Sequence, residues 1–420
     1  MNKIVASFGI AALGASTIHS ASAQDFTSNP QKPWAVSATL RGFYDDNING
    51  APSGPNKVDS FGFEVSPGIG LDWNNGQTAV KVGYRYSLRY FDEERFQREG
   101  HDSQSHTFDG AIDHSFNERS SISLRDSFVV GQEPDLLRST YGGGAPLTPV
   151  PGDNIRNYGS VVFSTDLTPV FGLELGYDNQ WFDYDDSGGT IAQPSLSGLL
   201  DRVEQTIHVD GLWHVLPKTT LFLGYQFGFV NYTADELING PGAEFSESSD
   251  KNNRSHYIYA GVTQVFSPDL TGSVRAGARI IDFYNADRDD VSPYVRASLK
   301  YVYAPESSLE AGGSYDISMA PYRDAAYAET VNIFASVRHR IVPKLFGSLT
   351  AQVQNQDYKG GVQDGRDDVI YTIGANLEYA FLPNLSGHVG YNFDSVDSDA
   401  FGVDNDYQRN RVYIGVTATY

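Results

Sequence analysis

The chain has 420 residues, a formal net charge of −22, no cysteine and 13% aromatic residues, with a mean hydropathy of −0.35. The missing cysteines exclude a disulfide scaffold and a lipid-anchored mature N-terminus, which needs a Cys after its cleavage site. The acidic balance argues against a nucleic-acid partner, because phosphate binding needs clustered Lys and Arg.

The N-terminus reads as a secretory signal: Lys3, an apolar stretch from Ile4 to Ala15, and the small-residue site Ala21-Ser22-Ala23 before Gln24. That stretch is too short to span a bilayer as a helix, and no later segment is long and apolar enough to do so. Further on, side chains alternate with a period of two. From Thr78 to Tyr90, Val80, Val82, Tyr84, Tyr86, Leu88 and Tyr90 share one face, and Lys81, Gly83, Arg85, Ser87 and Arg89 share the other. Val331 to Ile341 and Leu345 to Gln354 repeat the pattern. The chain ends on it, with Val412, Ile414, Val416, Ala418 and Tyr420 opposite Arg411, Tyr413, Gly415, Thr417 and Thr419.

The connections alternate between short and long. The short ones are Asn74-Asn75-Gly76-Gln77, Asn117-Glu118 and six Pro-containing turns at Pro169, Pro217, Pro268, Pro305, Pro343 and Pro383. Proline presets a turn dihedral and cannot donate to a ladder, so strands stop there. Long acidic, Gly/Asn-rich connections lie near 46–59, 92–103, 131–153, 186–200, 233–251, 286–289, 319–326, 359–365 and 398–407. Eight short turns and nine long loops predict eighteen strands. An exposed half-apolar final strand would be a sticky edge unless it closes a barrel. The predicted fold is therefore an all-β transmembrane antiparallel up-and-down β-barrel of about 18 strands, with short periplasmic turns and long acidic extracellular loops. Residues 1–23 are read as signal peptide, 24–34 as a short periplasmic segment and 35–420 as the outer-membrane barrel. A soluble propeller would repeat a four-strand blade motif, and none is found. Trp34, Trp73, Trp181 and Trp213 fall near strand ends, as interface girdles require.

The segment LRGFYDDNING (Leu40 to Gly50), the FSPDLTG turn (Phe266 to Gly272), the Pro293 to Val295 strand opening and the Tyr301 to Pro305 strand end carry a family resemblance. The chain resembles the putative β-barrel porin 2 family of Gram-negative outer-membrane proteins, across nearly the whole mature length. The resemblance implies an outer-membrane barrel and a porin-like role. Some members are associated with exopolysaccharide export, which makes a glycan a candidate cargo. The terminal strand with its aromatic Tyr420 resembles the signal read by the barrel-assembly machinery.

A charge facing lipid at mid-depth costs about 2–4 kcal/mol, so charged positions are assigned to the lumen. Basic lining residues are Arg275, Arg279, Arg296, Lys300, Arg338 and Arg340, and acidic ones include Glu310, Asp316 and Glu378. Two readings stand: a wall of cross-neutralising charges, or a basic arc that steers small anions or anionic glycans. In the loop from Gly131 to Asp153, Leu136, Leu137, Arg138 and Tyr141 are candidates for a constriction folded into the barrel, against packing at the rim. Asp45 to Gly50 matches the opening of a calcium loop, but its twelfth position is Asn56 and not Glu, so no metal is assigned there. His208 and His214 lie too far apart along one strand to share an ion. No catalytic residue and no cofactor is expected, because no nucleophile motif is present.

The functional expectation is a passive porin-like channel for small hydrophilic solutes, with a saccharide or exopolysaccharide export among the options. A loop-plugged structural or adhesive barrel and a barrel-embedded hydrolase are the alternatives. Expected partners are outer-membrane lipids, the assembly machinery and a small solute or glycan, with a homo-oligomer left open.

Overall fold

The computed structural model describes residues 32–52, 54–93, 100–132, 152–191, 194–323, 325–362, 364–399 and 406–420. Eighteen antiparallel strands form one closed sheet. They are β1 (Trp34–Asp45), β2 (Ser60–Asn74), β3 (Thr78–Phe91), β4 (Asp102–Ser115), β5 (Ser120–Gly131) and β6 (Asn154–Asp166). β7 (Phe171–Tyr184), β8 (Arg202–Leu216), β9 (Thr219–Tyr232), β10 (Asn253–Ser267), β11 (Leu270–Phe283) and β12 (Arg288–Ala304) follow. β13 (Ser307–Met319), β14 (Tyr327–Val342), β15 (Leu345–Lys359), β16 (Asp367–Leu382), β17 (Leu385–Ser398) and β18 (Tyr407–Thr419) complete the barrel. A five-residue helix, α1 (Leu196–Leu200), sits in the loop before β8. Strands of 12 to 17 residues exceed the roughly 9–11 that a tilted strand needs to cross hydrocarbon.

The barrel closes where the sequence demanded it. β18 pairs with β1 from Ser37↔Thr419 to Asp45↔Arg411, and Tyr420 and Val36 exchange backbone hydrogen bonds of 2.9 and 2.8 Å. The Asp45-Asp46-Asn47 run clasps this seam from outside the membrane span. Arg409 donates to Asp45 at 2.6 Å, while Asn410 and Lys57 hold Asp46 at 2.8 and 3.0 Å. The calcium-like spelling is therefore a closing latch of ion pairs.

Five of the six proline turns follow a register shift in the preceding strand, for example between Tyr301 and Ala304 and between Arg340 and Val342. Such bulges tighten the turn where proline ends the ladder. The two faces separate by chemistry: Leu223 (66% exposed) and Ile414 (68%) point outward to where lipid lies. Thr39 and Thr417 meet on the inner side at 2.9 Å.

The β2–β3 ladder skips Ser66 and Pro67, and a longer interruption lies between β12 and β13. The β12–β13 ladder runs only between Val295↔Tyr315 and Ala304↔Ser307. Above it, β12 keeps β11 up to Phe283↔Arg288 and β13 keeps β14 up to Met319↔Tyr327. Pro293 lies in the part of β12 that pairs with β11 but not with β13, and it has no N–H to give a neighbour. Ile317, Met319 and Tyr327 share strand parity with the outward Ile333, yet they are buried with Ile281 and Phe283, which point inward from β11. Tyr327 stacks on Phe283 at 5.9 Å, and Arg279 donates to the Ile317 carbonyl at 2.7 Å. The outer face of the β13–β14 hairpin thus rests on the inner face of β11–β12, and the wall overlaps itself toward the extracellular end.

Candidate pore lining and external mouth

Alternation places most charged side chains inward, where they pair. Glu64 on β2 lies 3.4 Å from both Arg41 on β1 and Arg89 on β3, and Ser87 donates to it at 3.0 Å. Arg125 meets Asp113 at 2.6 Å, Arg411 meets Asp394 at 2.9 Å, and Lys81 reaches Asp72 at 3.7 Å. Neighbouring strands supply opposite signs directly across the ladder, as for Glu64 and Asp72, or one inward step along it, as for Asp113 and Asp394, so these charges are paired.

The six basic positions do not form one arc. Arg275 and Arg296 face each other across β11–β12, and Arg279 stands one inward step beyond Arg275's neighbour Gly277. Arg279 and Arg296 share Asp316, at 3.2 and 3.4 Å. Lys300 is opposite Glu310. Arg338 sits opposite Ser308, six residues down β13 from the Ser314 that faces Arg296, or about 20 Å along the strand. Arg340 pairs with Glu306 in the β12–β13 turn at 2.5 Å. Glu378 is opposite His388 on β17.

The arginine group rests on aromatic rings. Phe222, Tyr257, Tyr259 and Tyr294 form one inward cluster. Arg275 lies over Phe222 and Tyr259, Arg279 over Tyr257, and Arg296 over Tyr294, all between 4.9 and 5.5 Å. Glycine makes this stack fit: a Cβ on Gly224 would lie 2.3 Å from Tyr259 and 2.1 Å from Asp210. Tyr259 donates to Asp210 at 2.6 Å.

Beside it, Glu174, His208 and Asp210 bring ligand atoms within 4.8 Å of one another, all buried. His208 lies flat over Gly176, whose Cβ would sit 1.8 Å from the imidazole. The distance between His208 and His214 along β8 hid this group, because Glu174 comes from the neighbouring β7 and Asp210 from β8 itself, two residues beyond His208. The donor types suit a divalent cation.

The external mouth is narrowed by loops that carry their own core. Ile238 and Phe245, in the loop from 233 to 252, are buried with Val230 and Tyr232 of β9 and with Ile281 and Phe283, all inward positions. Lys251 is fully buried and donates to the Tyr322 and Ala320 carbonyls at 2.5 and 3.4 Å, tying this loop to the β13–β14 loop. Asn239 donates to the Arg323 carbonyl, Arg323 to the Ile191 carbonyl, and Arg288 to Glu244. Glu236 accepts from Ser195 and from the Gly188 backbone. Partial burial pushes the Glu236 carboxyl up, but these donors hold it below the usual glutamate range. Loops from β7 to β14 are thus knotted together over one side of the opening. The sequence singled out another loop, and Leu136, Leu137, Arg138 and Tyr141 lie outside the described residues.

The inward apolar positions on β9 and β11 are the residues that sequence reasoning missed. Val230, Tyr232, Ile281 and Phe283 break the polar-inside rule, and that break was the available signal.

A family model matches residues 34–420, the whole barrel as built above. The chain belongs to the Putative beta-barrel porin 2 family. It is an outer-membrane porin-like barrel. No curated protein matches the sequence. Among solved structures, OpdK from Pseudomonas aeruginosa, crystallised with vanillate, is similar at 11% identity and a TM-score of 0.44. The match covers 92% of this chain and 99% of that one. OccAB4 from Acinetobacter baumannii is similar at 12% identity and a TM-score of 0.44, covering 93% and 99%. A mutant of the ferric enterobactin receptor of P. aeruginosa is similar at 10% identity and a TM-score of 0.41, covering 92% and 80%.

Proposed function

We propose that this protein is a passive channel, carrying small hydrophilic solutes across the outer membrane after export through the periplasm. One observation carries the reading: a closed sheet of eighteen strands turns charged pairs inward and bare apolar side chains outward. A barrel of this size has a lumen that strand side chains alone do not fill. A saccharide cargo, including a part in exopolysaccharide export, belongs to the same proposal. No catalytic role is assigned. Tyr420 contributes to recognition by the assembly machinery in this reading, its ring lying 6.2 Å from that of Trp34 at the periplasmic end.

The knotted loops favour a second reading, a barrel closed at its outer mouth that serves structure or adhesion. Planar-bilayer recording separates the two. Stepwise current from the wild type supports the channel. Absence of current from the wild type, with current restored by shortening the loop from 233 to 252, supports the closed barrel.

A further inference from the structure

One row of inward positions crosses four adjacent strands. Arg275 on β11 faces Arg296 on β12, which faces Ser314 on β13, which faces Asn332 on β14. Two guanidiniums placed opposite each other repel, and here aromatic rings hold them in place. Among the described residues no carboxylate lies within ion-pair distance of Arg275, whose contacts are the Phe222 and Tyr259 rings. Arg296 has only a share of Asp316, which also serves Arg279. The nearby Asp210 is engaged by Tyr259, and Glu174 and Asp178 flank His208. Among the described residues, the three guanidiniums therefore have one carboxylate within ion-pair distance, with Glu204 acting on Arg279 and Asp178 on Arg296 only from farther off. The Arg296 side chain is 56% exposed, so a solute in the lumen meets it first.

The same place holds polar groups with no protein partner. Both amide atoms of Asn332 and the hydroxyl of Tyr294 make no hydrogen bond, and both residues are almost completely buried. A buried polar group is costly to leave unpaired until it meets a partner. An amide offers a donor and an acceptor, and so does a phenol, which is the complement of an alcohol. Arg296 and Asn332 stand two strand spacings apart, about 10 Å, a gap that guanidinium reach and a six-membered ring can fill.

We propose that this row is a binding subsite for a small hydroxylated carboxylate, a sugar acid. Arg275 and Arg296 receive the carboxylate, and Asn332 and Tyr294 take the hydroxyls. The inference rests on the channel reading and adds its solute class.

The test uses the purified full-length protein in planar bilayers, with glucuronate, glucose and acetate added in turn. Glucuronate is expected to interrupt the current at concentrations about tenfold or more below those of glucose and acetate. Arg275→Gln and Arg296→Gln are each expected to raise its half-blocking concentration about ten- to hundredfold, the loss of one charge-assisted contact. Asn332→Leu should weaken glucuronate block and leave acetate unchanged. Equal block by acetate and glucuronate overturns the sugar-acid assignment, and block indifferent to both Arg substitutions overturns the site. Calorimetric binding of glucuronate to the detergent-solubilised protein tests the subsite even if no current flows, with saturation expected for wild type and lost in Arg275→Gln. Absent current with intact binding counts against the channel alone. Should Arg275→Gln fail to fold, Arg275→Lys keeps the charge, removes the planar fork, and is expected to weaken binding by a smaller factor.

Discussion

Phe245→Ala tests whether the loop from 233 to 252 narrows the mouth. Phe245 is 1% exposed, packs edge-on against Phe283 at 6.0 Å, and belongs to a cluster whose other members are largely on strands. Truncating a buried phenylalanine costs about 3–5 kcal/mol. No strand ladder includes this residue, so the loss falls on seating of the loop and leaves the barrel intact. Since about 1.4 kcal/mol is a factor of ten, the population with the loop lifted should rise by about two to three and a half orders of magnitude. The assay is single-channel conductance, paired with limited proteolysis of the protein in vesicles. Conductance should rise, or become noisy with larger open levels, and cleavage should appear between residues 233 and 252. Unchanged conductance together with unchanged cleavage would refute the placement of this loop across the opening.

Further outcomes follow from the same geometry. Lys251→Met removes the ammonium that ties two loops together, at a cost of about 1.5–3 kcal/mol per charged hydrogen bond, and should reproduce a weaker form of the Phe245→Ala behaviour in both assays. Leu223→Arg places a charge on the lipid face and should lower the free energy of folding into vesicles, read by urea titration, by about 2–4 kcal/mol at mid-depth. The inward neighbour substitution Gln226→Arg should cost far less, and equal losses would contradict the assigned faces. The folded Glu236 carboxyl titrates below its unfolded value, so its clasp on Ser195 and Gly188 is fully present above the unfolded value and is lost as pH falls through the folded one. Acidification from about pH 7 to about pH 3 should raise wild-type conductance, and Glu236→Gln should flatten that response across the range where glutamate titrates.

The alternation in Thr78 to Tyr90 and in the final strand specified which side of each strand meets lipid, because strand side chains point to opposite faces whatever they pack against. The proline turns likewise marked strand ends, since proline cannot extend a ladder. The charged lining was legible for the same reason, residue by residue. Its grouping was not. Arg338 and Arg275 look equivalent in the sequence, yet the register of β11 to β14 sets them far apart and brings Arg275 against Arg296. Ile281 and Phe283 break the polar-inside alternation of β11, but the reason appeared only when a loop and the β13–β14 hairpin were found packed against them.

The sequence alone therefore determined strand number, the short and long connections, and the closure of β1 on β18, because these depend on local periodicity and on turn chemistry. Only the tertiary structure decided that the wall overlaps between β12 and β13, that Lys251 is sealed among distant carbonyls, and that Arg279 and Arg296 share Asp316 over a bed of tyrosines. Those features arise from interstrand register and loop docking. Both are set by which non-local surfaces fit together, and a period of two carries no information about that fit.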